Sequence, residues 1–102
     1  MPTRRRSHAR PDPNQAEIVK ALRANGCSVE VTADIGGGFP DLVVGRRGRT
    51  YLLEVKKGYE FPPSERALTP DQVVWHGRWR GQVAVVHNVG EALAAVGVIS
   101  ID

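Results

Sequence analysis

Apolar residues fall in two rhythms along this chain. Between Asn14 and Asn25, Ile18, Val19 and Leu22 share one stripe of a 3.6-residue period. Asp12 or Asn14 can cap it, Pro13 suits a first turn, and Asn25-Gly26 is a stop, so a helix of about three turns is predicted. From Cys27 to Thr32 the period changes to two, the pattern of a strand with one apolar face. Leu42 to Gly45 and Thr50 to Lys56, joined by Arg46 to Arg49 with Gly48 in the turn, predict a β-hairpin. Gly58 to Leu68, with Pro62-Pro63-Ser64 at its middle, reads as a loop whose length suggests a flap over a site. Thr69 and Pro70 then supply the cap and first position of a second helix, with Val73, Val74, Trp75 and Trp79 on its apolar faces and its end near Arg80-Gly81. Gln82 to His87 predicts a strand, Val89 to Val96 a last helix ending at Gly97, and Val98 to Ile101 a candidate edge strand. The result is an α/β fold in the order α-β-β-β-α-β-α.

One stretch breaks the apolar pattern. Side chains alternate along a strand, so Glu54 and Lys56 point to one side and Leu53 and Val55 to the other. A central strand of a small domain is normally apolar on the faces it buries, so a Glu and a Lys two residues apart require a reason beyond packing. Hairpin register supplies one. With the turn near Arg47-Gly48, residues whose numbers sum to about 95 should pair, and Asp41 with Glu54 gives that sum. Regular pairing would bring their Cβ atoms to roughly 5 Å on one face. Two carboxylates that close repel, and a cation between them is the economical remedy. Hard oxygen ligands with open positions suit Mg²⁺ or Mn²⁺, with the Val55 carbonyl as a further ligand. Lys56, on the same face, is placed to orient an attacking water or to stabilise charge developing on phosphorus. A solvent-facing strand is the competing reading for an isolated E-x-K. The Gly36-Gly37-Gly38-Phe39-Pro40 run before Asp41 argues against it: the glycines let backbone pass close to another group, and Pro40 marks the strand start.

Composition narrows the rest. At 102 residues the chain fits one domain, and 41% apolar with 25% charged residues is ordinary globular usage. No run of about 18 apolar residues suggests a membrane span, and the basic N-terminus lacks the apolar segment of a secretory signal, so a cytoplasmic location with no membrane partner is expected. The single cysteine, Cys27, allows neither an internal disulfide nor a cysteine metal cluster. Net charge is +3, and Arg4, Arg5, Arg6 and Arg10 lie within the first ten residues. Residues 1–12 therefore read as a flexible basic arm that orders on a phosphate backbone, and residues 13–102 as the folded domain. His8, His76 and His87 show no metal-ligand spacing.

The residues resemble a family. Phe39-Pro40-Asp41 followed by Glu54-Val55-Lys56 is similar to the PD-(D/E)XK nuclease signature, and Leu68-Thr69-Pro70-Asp71-Gln72 with Trp75, then the Gly81 to Val86 strand, narrows it to the VRR-NUC branch, including stand-alone phage and bacterial forms. The resemblance spans roughly Asn14 to Val96. It implies a single restriction-endonuclease-like domain with a mixed central sheet flanked by helices, cleaving DNA with a divalent cation. It implies Asp41 and Glu54 as metal-binding carboxylates, Lys56 as the catalytic lysine, Gln72 as a group hydrogen-bonded near the site, and Glu17 as the acidic residue of the first helix. On the residues alone, Glu17 sits at the edge of the apolar stripe and either meets solvent or leans into a cleft. Lys57 is either a phosphate contact or solvated, and Gly37 and Gly38 are expected to let backbone approach the DNA. A minimal nuclease of this kind is expected to act on branched DNA, as a Holliday-junction resolvase does, and as a homodimer; Trp75, Trp79 and Phe61 are interface candidates, with the core as the competing place for both tryptophans and the favoured one for Trp75. The competing functions are a non-catalytic nucleic-acid-binding module that keeps the fold and, less favoured, a toxin-like or RNA-directed nuclease.

Overall fold

The computed structural model describes residues 12–100. The Ile18, Val19 and Leu22 stripe forms the buried face of α1 (Gln15–Ala24), which ends at Asn25 and at Gly26 with φ of 84°. Asn14 is the N-cap by backbone position, so Pro13 precedes the helix instead of opening it, and the Asn14 side chain is engaged elsewhere. The arm residues Arg4, Arg5, Arg6 and Arg10 lie outside the described residues.

Four strands follow the predicted positions: β1 (Ser28–Val31), β2 (Leu42–Arg46), β3 (Arg49–Val55) and β4 (Ala84–Val86), side by side in that order. The first three pair antiparallel and β4 runs parallel to β3, giving the expected mixed sheet. β2 and β3 meet in a two-residue turn at Arg47 and Gly48, whose φ angles of 50° and 76° are those of a type I′ hairpin. Leu42 faces Leu53, so the ladder keeps the sum of 95. Three helices complete the chain: α2 (Pro63–Arg66), α3 (Pro70–Arg78) and α4 (Val89–Ala95). The order agrees with the predicted one, with α2 an added single turn inside the Gly58 to Leu68 loop. Residues 98–100 are not a strand, because the chain turns after Gly97 and Val98 N bonds back to Leu93 O at 2.8 Å. β4 is also shorter than Gln82 to His87. The Gln82 side chain takes over the missing ladder bonds, accepting from Leu52 N at 2.6 Å and donating to Leu52 O at 3.3 Å. No helix among the described residues is long and apolar enough to cross a membrane.

The two sheet faces differ. Val29, Leu42, Val44, Leu53, Val55 and Val86 join Ile18, Val19 and Leu22 of α1 and Ala92 and Val96 at α4 in one core. Each large side chain fully buried there contributes roughly 1.5–3 kcal/mol. The opposite face carries Glu54 and Lys56, exposed by only 1% and 8%, and α3 reaches it through the Gln72 side chain. That helix opens as predicted: Thr69 and Gln72 form a capping box with Pro70 in the first turn. Trp75 turns inward at 5% exposure and meets Phe39 edge to face, with ring centroids 5.4 Å apart. Gly38 makes this seating possible. Its φ is 86°, and a Cβ there would stand 2.7 Å from the Asp71 carbonyl carbon and 3.0 Å from Trp75 Cβ. The glycine is thus required for α3 to dock, and Gly37 borders open space.

Candidate active site at the end of the hairpin

Asp41 lies one step beyond the last paired residue of β2, and its backbone and side chain are both fixed. Its carbonyl accepts from Thr32 N at 2.7 Å, the Thr32 hydroxyl donates to Pro40 O at 2.8 Å, and Asp41 Oδ2 accepts from Val55 N at 2.9 Å. Thr32 has no charge and no motif around it, so nothing in the sequence marks this role. Along a strand, the N–H and C=O of one residue point to the same side and those of the next residue to the other. Lys56 N turns to Val86 O at 2.9 Å, so the Val55 carbonyl shares the side of its N–H, towards Asp41.

Glu54 is held from the opposite direction by Gln72, whose Nε2 donates to Glu54 Oε2 at 3.0 Å while its Oε1 accepts from Thr69 N at 2.9 Å. One residue therefore closes the helix cap and positions the carboxylate. Glu54 Oε1 is buried with no donor facing it. Burial, then the neighbouring Asp41, push the Glu54 carboxyl up to about 9, against the opposing pull of Lys56. A hydrogen bond between Asp41 and Glu54 requires a proton, and burial favours the protonated form of Glu54 in the metal-free protein.

A further carboxylate, Asp12, lies near enough for its charge to act on Glu54. Burial raises its carboxyl, with Lys56 lowering it, Asp41 raising it and Lys57 lowering it in decreasing order. Glu17 is not among the charges acting on Glu54, and it lies exposed on α1. Asn14 explains the difference. Its Nδ2 donates to Lys56 O at 3.0 Å and His87 O at 2.7 Å, clasping the carboxyl ends of the parallel pair β3 and β4. Residues just before the α1 cap are carried to the site, and residues one turn into the helix are carried past it. A groove of about 700 Å³ runs from Asp12 along α1 past Val19 and Arg23 to Val31.

Other candidates have other partners. Lys57 pairs with Glu65 at 3.0 Å and covers the Phe61 ring at 4.8 Å, so its charge is engaged by the Gly58 to Leu68 segment. Trp79, 39% exposed, stacks on Trp75 with centroids 4.7 Å apart. Arg46 donates to Val96 O at 3.2 Å at the end of α4. Tyr59, His87 and Glu91 form a separate surface triangle through Tyr59 Oη to Glu91 Oε2 at 2.6 Å and His87 Nδ1 to Glu91 Oε1 at 2.8 Å.

Among the described residues no group of three or more His, Cys, Asp and Glu side chains forms a ready-made cation cage. The donor set nonetheless fits a hard cation bound with open positions: two carboxylates, one carbonyl, and an orphaned Glu54 oxygen that only a proton or a cation would satisfy. Burial of Glu54 has a measurable consequence. Its folded carboxyl holds a proton to higher pH than the unfolded one, so the metal-free protein should lose stability as pH rises from 4.5 towards about 9. Glu54→Gln keeps the neutral form throughout. The variant is expected to be more stable than the metal-free wild type at about pH 8.5, by roughly 1–3 kcal/mol, and to lack the wild-type slope in urea midpoints between about pH 6 and about pH 8.5. Parallel slopes would show that Glu54 is already ionised in the metal-free fold.

Comparison with known proteins agrees with the architecture. No protein-family model matches the chain, and no curated protein matches it significantly. A solved structure described as a VRR_NUC domain matches 80% of this chain and 88% of its own, with 29% identity and a TM-score of 0.59. That likeness, with the mixed sheet and the hairpin register in place, gives the chain the fold of a VRR_NUC domain.

Proposed function

We propose that the protein is a divalent-metal-dependent endonuclease that hydrolyses DNA phosphodiester bonds, with branched DNA as its preferred substrate. The observation that carries this reading is the buried Glu54, set beside Asp41 at hairpin register with Lys56 on the same face and an oxygen that no protein donor satisfies. A folded domain gains nothing from two adjacent carboxyls and a buried lysine; a site that gathers cation and phosphate does.

Asp41, Glu54 and the Val55 carbonyl are the residues that would hold the cation. Mg²⁺ or Mn²⁺ there supplies Lewis-acid polarisation of the phosphoryl group and a lowered pKa for water. The Lys56 ammonium, carried on a rigid strand, orients the attacking water and offsets the negative charge that builds on the phosphoryl oxygens. Gln72 keeps Glu54 in one rotamer, and Val55 N–H does the same for Asp41, so neither carboxylate must reorganise during the reaction. Asp12 supplies the carboxylate at the open end of the cluster. Arg4, Arg5, Arg6 and Arg10 are the proposed phosphate contacts outside the described residues, and a homodimer would offer two sites for the two strands of a junction.

The test is incubation with duplex, nicked, flap and four-way-junction DNA, and with RNA, in Mg²⁺ or Mn²⁺ against EDTA. Metal-dependent cutting of at least one branched DNA in preference to linear duplex is expected. Tight binding with no cutting of any substrate would favour a non-catalytic nucleic-acid-binding module.

A further inference from the structure

We propose that two copies of this chain associate through the outer face of α3, the two helices packing antiparallel about a twofold axis near Val74. The inference rests on the homodimer of the nuclease reading and assigns its interface.

Within the chain the outer face of α3 covers nothing. Trp75 is buried against Phe39 and Gln72 bonds Glu54, which fixes the inner side of the helix. At 3.6 residues per turn, Pro70, Val73, Val74 and Gly77 fall on the opposite side. All four are exposed, and Val74, at 65%, is the most exposed large apolar side chain among the described residues. Gly77 adds a second observation. Glycine is among the poorest helix formers, and nothing lies within 4 Å of the position its Cβ would take. The single chain therefore gives no reason for a bare backbone there. A helix crossing at that point does, because the absence of a side chain lets two backbones approach.

Charge selects the occupant and its direction. Asp71 and Arg78 are two helical turns apart, so they share one flank of the face, acidic at the start of α3 and basic at its end. Both are exposed, and among the described residues neither forms a salt bridge. Antiparallel packing about a twofold axis sets each flank against its own copy, so Asp71 meets Arg78 of the partner subunit, and the symmetry makes that contact twice. The same register sets Val74 against its own copy on the axis and Val73 against the open position at Gly77. A second copy of the chain requires this self-complementarity, and a foreign partner does not. The sites then lie on opposite sides of the helix pair, because Gln72 and Glu54 occupy the inner side of each α3. A helix of nine residues offers less than the roughly 800 Å² per partner of a standard interface, so the dimer should dissociate in the micromolar range.

The test is sedimentation velocity of the full chain from about 1 µM to about 500 µM, with thermal unfolding to confirm that each variant folds. Wild type is expected to pass from monomer to dimer across that range. Val74→Glu, at an exposed position, should raise Kd at least about tenfold. Asp71→Arg and Arg78→Asp should each raise it about 3- to 10-fold, and the double variant, which exchanges the two charges, should recover most of the loss. A monomer at every concentration overturns the proposal, as does a dimer indifferent to Val74→Glu, or single-charge losses that the double variant does not rescue. Metal-dependent cleavage of flap DNA is followed separately. Cutting by a chain that never dimerises through α3 leaves the nuclease reading standing without this interface, and a dimer sensitive to these variants that cuts nothing keeps the interface while the nuclease reading falls.

Discussion

Lys56→Ala should lose metal-dependent DNA cleavage by about a thousandfold or more while still folding and still binding DNA in Ca²⁺. The size follows from where the ammonium sits. Lys56 is 8% exposed on a strand whose backbone is locked to Val86 and to the Asn14 side chain, so its charge is delivered with little reorganisation in a partly dry site, where electrostatic stabilisation is worth most. Alanine removes that charge and leaves the β3 backbone bonds in place. Asp41→Asn is the matching variant on the facing strand. Its amide oxygen can still accept from Val55 N, which keeps the hairpin end closed, but the carboxylate charge is gone, so cleavage should fall by a similar factor with little loss of stability. Thermal unfolding and Ca²⁺-supported DNA binding separate these effects from misfolding. Wild-type cleavage rates in both variants would sink the nuclease reading.

How far the sequence revealed this site depends on which physical rule set each residue's place. Asp41, Glu54 and Lys56 lie on a hairpin, where a two-residue turn dictates every later pairing, and a turn at Arg47-Gly48 is enough to bring Asp41 and Glu54 together. The Thr69 cap was similarly readable, since cap chemistry is local, whereas the mixed sheet was implied by the family resemblance. Gln72 was legible only through the family resemblance, because its two bonds join a local cap to a strand eighteen residues away. Thr32 and Gln82 act through backbone groups of other elements, and polar residues of that kind leave no periodic trace. Gly38 was legible as a place of close backbone approach, but only the fold shows that α3 is what presses against it. Similarly, a run of proline and serine suggested a loop at Gly58 to Leu68, and Pro63 at the start of a short helix satisfies the same composition.

The second large effect concerns the carboxylate at the α1 end of the site. Asp12→Asn should cost about 10- to 100-fold in cleavage, and Glu17→Gln should stay within about twofold of wild type. The family resemblance implies Glu17, whereas a helical projection leaves it between solvent and a cleft, because a projection describes the helix axis and not its ends. The site lies off the N-terminal end of α1, at the carboxyl ends of β3 and β4, and the Asn14 amide fastens that end of the helix to Lys56 O and His87 O. Asp12, two residues before Asn14, is consequently half-buried within the field of Lys56 and Asp41, whereas Glu17 projects to solvent. Replacing Asp12 by Asn removes a negative charge that adds to the attraction for a cation and that also raises the Glu54 carboxyl. The variant should therefore need more Mg²⁺ for half-maximal cleavage, and raising Mg²⁺ should restore part of the rate. Removing the exposed Glu17 charge changes neither quantity. A Glu17→Gln variant as impaired as Asp12→Asn would mean that α1 turns its other side to the site when DNA and metal are bound, and equal wild-type activity in both would place the Asp12 carboxylate outside the reaction.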